Sequence, residues 1–401
     1  MSFCRALLAL MIRDPRVAID ISRGDAKPAH SDEAQFILAP PPLWPSVRIL
    51  LRPDFWTGEA FINGHWYLKK GNLAEFLRVL RTQAPRPFAA YYEFLSSFRG
   101  VRHYLEQRLM HRHFTRKVRR HYEIDAELYE MILDEEMFYT CAFFEDEHLT
   151  LAEAQQNKIA TAISRMDLPS YRPRVLDIGC GWGAAERALV RRHPSVEVCG
   201  LSISANQIHW ALQKDVRSLN GQQAARIEYR LEDYERHDRP GYYDCICVLG
   251  MLEHVGLGGY PAFFAQIERL LKPGGTALIH TIVCPVAGSP TNRWIDKHIF
   301  TGGYAPSVSE LVTAIESHPL RVSNIHLHGP ANYRRTIEAW AANLAANIER
   351  MKTYLKGENL SDLEAEKILL TWQFYLSAVW NMFDECTPQA HQVAHVCIKK
   401  P

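Results

Sequence analysis

The stretch VLDIGCGWG, residues 175–183, decides how this chain is read. Val175 to Ile178 is a β-branched and leucine run that ends in Gly179, Gly181 and Gly183, and AAERALVRR follows with helical spacing. A strand running through a glycine turn into a helix lets bare backbone approach a ligand, at a helix N-terminus that favours a carboxylate or phosphate. Working outward, VEVCGLSI reads as a second buried strand and ANQIHWALQK as a helix. IEYRLED, YYDCICVLGM and GTALIHTIV read as three more strands, with helical PAFFAQIERLL between the last two. Strands alternating with helices predict an α/β fold with a parallel sheet and crossover helices. The tail from Glu338 to Phe383 has helical spacing throughout.

The turn is not that of a nicotinamide site. That fingerprint requires G-x-G-x-x-G and an acidic residue ending the second strand, whereas this turn is GCGWG and its second strand ends in Leu201-Ser202. The pattern D-x-G-x-G-x-G resembles instead the S-adenosylmethionine loop of the Rossmann-like class I methyltransferases, which implies a seven-stranded, mostly parallel sheet with added helices. In that resemblance Asp177 orients the loop or the amino-acid end of the cofactor, and Glu232 and Asp233 of LEDY lie beside the adenine. The bland alternative is a tight glycine turn with no ligand.

At 401 residues the chain has room for two domains, or for one large domain with an appendage. Its 46 Lys and Arg balance 45 Asp and Glu, which excludes a general nucleic-acid binder and makes any basic surface local. Nine scattered cysteines, with no CxxC pair and no zinc-finger spacing, fit a reduced, cytoplasmic setting and no metal site. CRALLALMI is short, contains Arg5 and runs into RDPR, so it reads as neither signal peptide nor span. No other segment approaches the ~20 apolar residues that a span requires, so a membrane would be met only at its surface.

Residues 1–46 read as an irregular entry, rich in Pro, Asp, Ser and Gly from residue 14 onward. From Val47, RILLRPDFW and GEAFINGHWYL read as short strands around the turn signal Asn63-Gly64, with helical NLAEFLRVLR after them, making a small α+β unit. Pro87 to Tyr122 is helical and increasingly basic, either a solvated face or an amphipathic stretch for anionic headgroups. The expected divisions are therefore the irregular segment 1–46, a small N-terminal lipid-binding-like domain with a basic helical linker at 47–120, and a catalytic domain at 121–401.

FYTCAFF, residues 138–144, sets Cys141 among rings, where a cysteine is either core packing or a small polar contact on an aromatic wall. Taken with HYEIDAELYEMILDEEM before it, and LTLAEAQQNKI, VLDIGCGWG, GLSISANQ, MLEHVG, LLKPGG, LIHTI, WIDKHIF, PSVSEL and NYRRTIEAW after it, the chain from about Arg48 to Trp340 resembles the cyclopropane-fatty-acyl-phospholipid synthases. GEAFINGHW is similar to the GEAYMDG segment of that family's small N-terminal domain.

The resemblance implies transfer of a methylene (or methyl) group from S-adenosylmethionine to the cis double bond of an unsaturated phospholipid acyl chain. An alkene is a weak nucleophile, so orientation and exclusion of water must supply much of the rate. Methyl transfer leaves a carbocation on the chain, and a base must take a proton from the new methyl group to close the ring. In the family that base is a bound bicarbonate. Its binding groups map onto Cys141, Glu253, His280, the backbone of Ile282, and Tyr333. The cofactor contacts map onto Tyr139, Thr140, Asp177, Gly179, Gly181, Gly183, Ser202, Gln207, Glu232 and Asp233. Thr140 and Ser202 depart from the family's usual Ser and Thr, and both keep a hydroxyl.

Without the resemblance, His280 reads as a hydrogen-bonded core histidine and Glu253 with His254 as loop-orienting groups. Cys141, Glu253 and His280 are metal-ligand types, but nothing in their spacing is zinc-like. Alternative activities are lipid C-methylation giving methyl-branched chains, N-methylation of a small amine, and lipid binding without catalysis. The expected partners are unsaturated phospholipid acyl chains at a membrane surface, no nucleic acid, and a second copy in a homodimer. The expected location is cytoplasmic and peripheral to the membrane.

Overall fold

The computed structural model describes residues 16–19, 35–39, 43–82, 126–358, 360–387 and 389–401. The basic stretch from Pro87 to Tyr122 lies outside the described residues. Two compact units are present, and they do not follow chain order. One takes the described residues up to 82 with Thr291–Ile299 and Leu344–Met382, and the other takes 126–290, Phe300–Asn343 and Phe383–Pro401. The division expected from the sequence puts everything from 121 onward in one domain. The difference arises because aromatic residues of the two later segments complete the first unit's core.

In the first unit β1 (Val17–Ile19), β2 (Phe36–Ala39) and β3 (Tyr67–Lys70) form a sheet in that order, with β1 and β2 parallel and β3 antiparallel. Two strands thus lie within the segment read as irregular. RILLRPDFW and GEAFI, read as strands, are the helices Leu43–Leu51 and Pro53–Ile62. Pro53 opens the second of these, where its missing N–H costs nothing. Asn63-Gly64 ends it: Gly64 has φ +68°, and the Asn63 and Gly64 amides donate to the carbonyls of Glu59 and Phe61 at 3.2 and 2.9 Å. A helix stop and a hairpin turn both need positive φ, which is why the dipeptide misleads. Phe61 packs tilted against Trp66 with centroids 5.0 Å apart, and Trp294 meets Phe374 at 4.6 Å.

The second unit is the α/β fold expected. Its sheet comprises β4 (Arg174–Ile178), β5 (Glu197–Ser202), β6 (Ile227–Leu231), β7 (Tyr243–Leu249), β8 (Leu271–Val283), β9 (Arg321–His328) and β10 (Gln392–Lys399), in the order β6-β5-β4-β7-β8-β10-β9. The first five strands in this order are parallel, and β10 runs antiparallel to both β8 and β9. Alternation along the strands explains their unbroken apolar runs. Leu176, Ile178, Ile246 and Val248 face a core layer with Phe263, Phe264 and Ile267, while Val175, Cys245 and Cys247 face one with Ile159, Ala188 and Leu189. The eight cysteines among the described residues are free. No helix among the described residues is long and apolar enough to cross a membrane.

Candidate active site

The strand order reverses between β4 and β7, so the loops leaving their C-terminal ends diverge and open a crevice. The glycine turn follows β4 with φ of +87°, +54° and +78° at Gly179, Gly181 and Gly183. A Cβ on Gly179 would stand 2.8 Å from Met251 Cγ, and one on Gly183 would overlap the Tyr229 hydroxyl. Gly183→Ala is expected to cost on the order of 1–3 kcal/mol in a urea-unfolding measurement, because it combines left-handed strain with that overlap. An unchanged midpoint would contradict this account.

Of the cofactor residues expected from the sequence, all but Gly183 line the same cleft. Gly183 serves instead as the N-terminal cap residue of the helix Ala184–Arg192. Asp177, the penultimate residue of β4, is buried with Oδ1 lacking a hydrogen-bond partner, and burial pushes its carboxyl up to about 7. Ser202 donates to Gln207 Oε1 at 2.9 Å and accepts from the Ser204 amide at 3.1 Å, which fixes both side chains at the end of β5. Glu232 Oε2 holds His237 Nδ1 at 3.1 Å, whereas Asp233 Oδ1 caps the following turn through the Glu235 amide at 3.1 Å.

Thr140 is clamped from the helix Leu151–Arg165. Its hydroxyl accepts from Lys158 Nζ at 2.9 Å and its carbonyl from Gln155 Nε2 at 3.0 Å. Lys158 is fully buried over the Phe138 ring, and burial lowers its ammonium to about 7 against the opposing pull of Asp134, Cys141 and Asp177. Neither Gln155 nor Lys158 is among the residues expected from the sequence. The signal was present in LTLAEAQQNKI, where two polar residues three apart share a helix face with apolar neighbours.

Of the expected acceptor-side residues, Glu253 follows β7 and His280 and Ile282 lie near the end of β8, while Cys141 and Tyr333 come from other segments. Glu253 lies in the turn Leu252–His254, and its Oε1 accepts the Ile282 amide at 2.7 Å. Its Oε2 is buried without a hydrogen-bond partner among the described residues. Burial raises the carboxyl, opposed by the Ile282 amide and the Thr281 hydroxyl. The Ile282 N–H is thus engaged in holding Glu253. His280, two residues earlier on β8, is the register partner of Leu249 at the end of β7, and its carbonyl accepts the Gly250 amide at 2.8 Å. Cys141 is fully buried, its Sγ 3.3 Å from the Ala142 carbonyl, and burial pushes the thiol far above its usual range, so it is a thiol and not a thiolate.

The Ala142 amide donates to Thr336 Oγ1 at 3.0 Å, on the same helix, Pro330–Ala346, as Tyr333. The Tyr333 ring packs on Phe383 with centroids 4.4 Å apart. Phe143, two residues after Cys141, has its ring centroid 5.9 Å from that of His280. Among the described residues no group of three or more His, Cys, Asp or Glu is arranged to hold a metal ion.

A glycine turn after the first strand of a parallel sheet, opening at the switch point toward an acid after the third, defines a class I S-adenosylmethionine-dependent methyltransferase. Comparison with known proteins narrows the class. Residues 110–393 match the family described as mycolic acid cyclopropane synthetase, and the chain belongs to that family. It is 30% identical over 341 residues to the cyclopropane-fatty-acyl-phospholipid synthase of Escherichia coli (strain K12), covering 82% of this chain and 85% of that one. It is 31% identical over 284 residues to cyclopropane mycolic acid synthase 1 of Mycobacterium tuberculosis (strain CDC 1551 / Oshkosh), covering 68% and 93%.

Among solved structures, the cyclopropane synthase MmaA2 from Mycobacterium tuberculosis superposes with a TM-score of 0.62 at 27% identity, covering 73% of this chain and 100% of that one. Mycolic acid cyclopropane synthase CmaA1 complexed with SAH and CTAB gives 0.61 at 29%, covering 72% and 98%. The chain is an S-adenosylmethionine-dependent methyltransferase of the cyclopropane-fatty-acyl-phospholipid synthase type.

Proposed function

We propose that the enzyme methylenates the cis double bond of an unsaturated acyl chain in a membrane phospholipid and closes a cyclopropane ring. The observation that carries the reading is Glu253 Oε2, buried without a hydrogen-bond partner among the described residues, in a turn whose neighbours Met251 and His254 line the cofactor cleft. S-adenosylmethionine, when bound, supplies an electrophilic sulfonium methyl group. Asp177, with its unpartnered Oδ1, Ser202, Gln207 and Glu232 would hold it, and Thr140, fixed by Lys158, would stand at its entrance.

Bicarbonate, when bound, supplies a weakly basic oxygen for the proton. An anion beside Glu253 requires that carboxyl to be protonated, the direction in which burial drives it. Glu253 Oε2, His280 Nε2, the Cys141 thiol and the Tyr333 hydroxyl would surround the anion, while the Ile282 amide fixes Glu253. Phe143 and Phe144 would line the wall by the cationic acyl carbon, whose charge a ring face stabilises without forming a bond to it. Aromatic and aliphatic burial around these groups excludes the water that would otherwise trap that cation.

The deciding experiment incubates the protein with S-adenosylmethionine and liposomes of unsaturated phospholipid, then weighs the acyl chains by mass spectrometry. Gain of one methylene unit with loss of the alkene is expected. Unchanged lipids, with methylation of a small amine instead, would sink the reading. Cys141→Ala is expected to reduce turnover at least tenfold, on the order expected for loss of a transition-state contact, while cofactor affinity measured by calorimetry stays within about twofold. Full activity in that variant would remove Cys141 from the acceptor site.

A further inference from the structure

Three histidines stand on three adjacent strands behind the acceptor site. β10 lies between β8 and β9, and His395 is the register partner of His280. His280 Nδ1 lies 2.8 Å from His395 Nε2. On the far side, Arg165 Nη1 lies 2.7 Å from His395 Nδ1 and 2.8 Å from His328 Nε2. Phe143 covers the group, stacked on His328 with centroids 3.9 Å apart. His280 and His395 are buried, while Arg165 and His328 are half-buried.

Donor chemistry settles the protons. A guanidinium is always charged and carries only donors, so His395 Nδ1 and His328 Nε2 must both accept from Arg165. A neutral imidazole that accepts at Nδ1 carries its proton at Nε2. His395 Nε2 therefore donates to His280 Nδ1, and the His280 proton is left on Nε2, to which no described residue is bonded. The other titratable groups acting on these rings are Lys158 and His326, and neither supplies a negative charge. Burial first, and then neighbouring positive charge, from Lys158 and Arg165 at His280 and His395 and from Arg165 at His328, hold His280 and His395 well below the usual imidazole value and His328 at about 4.

We infer that Arg165 and His395 form a tautomer lock that keeps His280 a neutral hydrogen-bond donor at Nε2. The inference rests on the reading that His280 faces the proton acceptor. Its consequence is that His280 positions the acceptor and does not take the proton itself, because the locked Nε2 has no free lone pair. A proton could pass from His280 to His395 only if both rings exchanged tautomers. That exchange would set an N–H at His395 Nδ1 against the N–H of Arg165. The array is a lock and not a wire, and Arg165 and His395 are positioning residues.

The test uses the full-length protein with ¹⁵N-labelled histidine and reads ring tautomers from long-range ¹H–¹⁵N spectra, independently of turnover. In the wild type, His280 should show a protonated Nε2 and a bare Nδ1. His395→Gln keeps an acceptor toward Arg165 and a donor toward His280, and should preserve that tautomer. His395→Glu, isosteric with the Gln variant, offers acceptors at both ends and should place the His280 proton on Nδ1. Arg165→Leu should yield a mixture of forms, with Arg165→Lys restoring the wild-type pattern.

In the liposome assay, His395→Glu should lose roughly 10²-fold in turnover, the scale of a misplaced acid–base group, with His395→Gln recovering most of it. A wild-type His280 protonated at Nδ1, or identical tautomers in the Gln and Glu variants, would overturn the lock. Correct tautomers in a protein that leaves every lipid unchanged would leave the lock standing and reject the lipid reading.

Discussion

Glu253→Gln is expected to lower turnover on unsaturated phospholipid by about 10²–10⁴-fold, the range that a positioned acid–base group contributes. Glutamine keeps an oxygen for the Ile282 amide, so the loop should hold its place. What it loses is a carboxyl able to gain and release a proton beside the acceptor. Stability should move the opposite way. The folded carboxyl sits above its unfolded value because of burial, so the native state binds more protons across that interval. Wild-type stability therefore falls as pH rises from the ordinary carboxylate value through the folded one, and glutamine escapes the loss. The variant should equal the wild type in acid and exceed it at neutral pH, as followed by urea unfolding at a series of pH values. Activity within threefold of wild type, read on the scale of a transition-state contact, would remove Glu253 from the chemistry.

Arg187→Leu is expected to destabilise the second unit by about 3–5 kcal/mol, the usual consequence of removing one partner from a buried ion pair. The Arg187 side chain is fully buried, with Nε 2.6 Å from Glu136 Oε2 and Nη1 3.2 Å from Asp215 Oδ1. Nη1 also donates to the carbonyl of Trp182, inside the glycine turn, at 2.9 Å. Leucine would strand two buried carboxylates and release the turn together, so cofactor affinity should fall with stability. Burial alone would raise Glu136, but the Arg187 charge and hydrogen bond, joined by Arg191, hold it below the usual carboxylate range. A depressed folded value means that this contribution is complete above the unfolded pKa and is lost as pH falls through the folded one. The wild type should accordingly lose part of its margin over the variant in acid. Urea titrations at neutral and acid pH would show this, and a loss below about 1 kcal/mol at neutral pH would place the pair among exposed bridges of little worth.

Much of the second unit was legible because its signals are local. A buried parallel strand needs an unbroken apolar run, and a turn at positive φ needs glycine, so β4, its glycine turn and the strand–helix alternation are written in consecutive residues. Motif resemblance extended this to Ser202, Gln207 and Glu232, which the structure brings to the same cleft. The first unit was less legible. Asn63-Gly64 marks a helix end or a hairpin equally well, and the burial of Trp294 and Phe374 in the same core as Phe61 joins residues far apart in the chain.

By itself the sequence determined the class of fold, the family and the residue types at the cofactor turn, since each depends on backbone conformation or spacing within a few residues. Only the tertiary structure decided which polar groups are buried and what each one faces. Arg187 is one of several basic residues on a short helix until its burial is seen. Likewise, His280 and His395 are 115 residues apart, and Arg165 and His395 are 230 apart. Their protonation follows from a hydrogen-bond chain that exists only once β10 inserts between β8 and β9, because a proton's position is set by the partner across the bond and not by the neighbour along the chain.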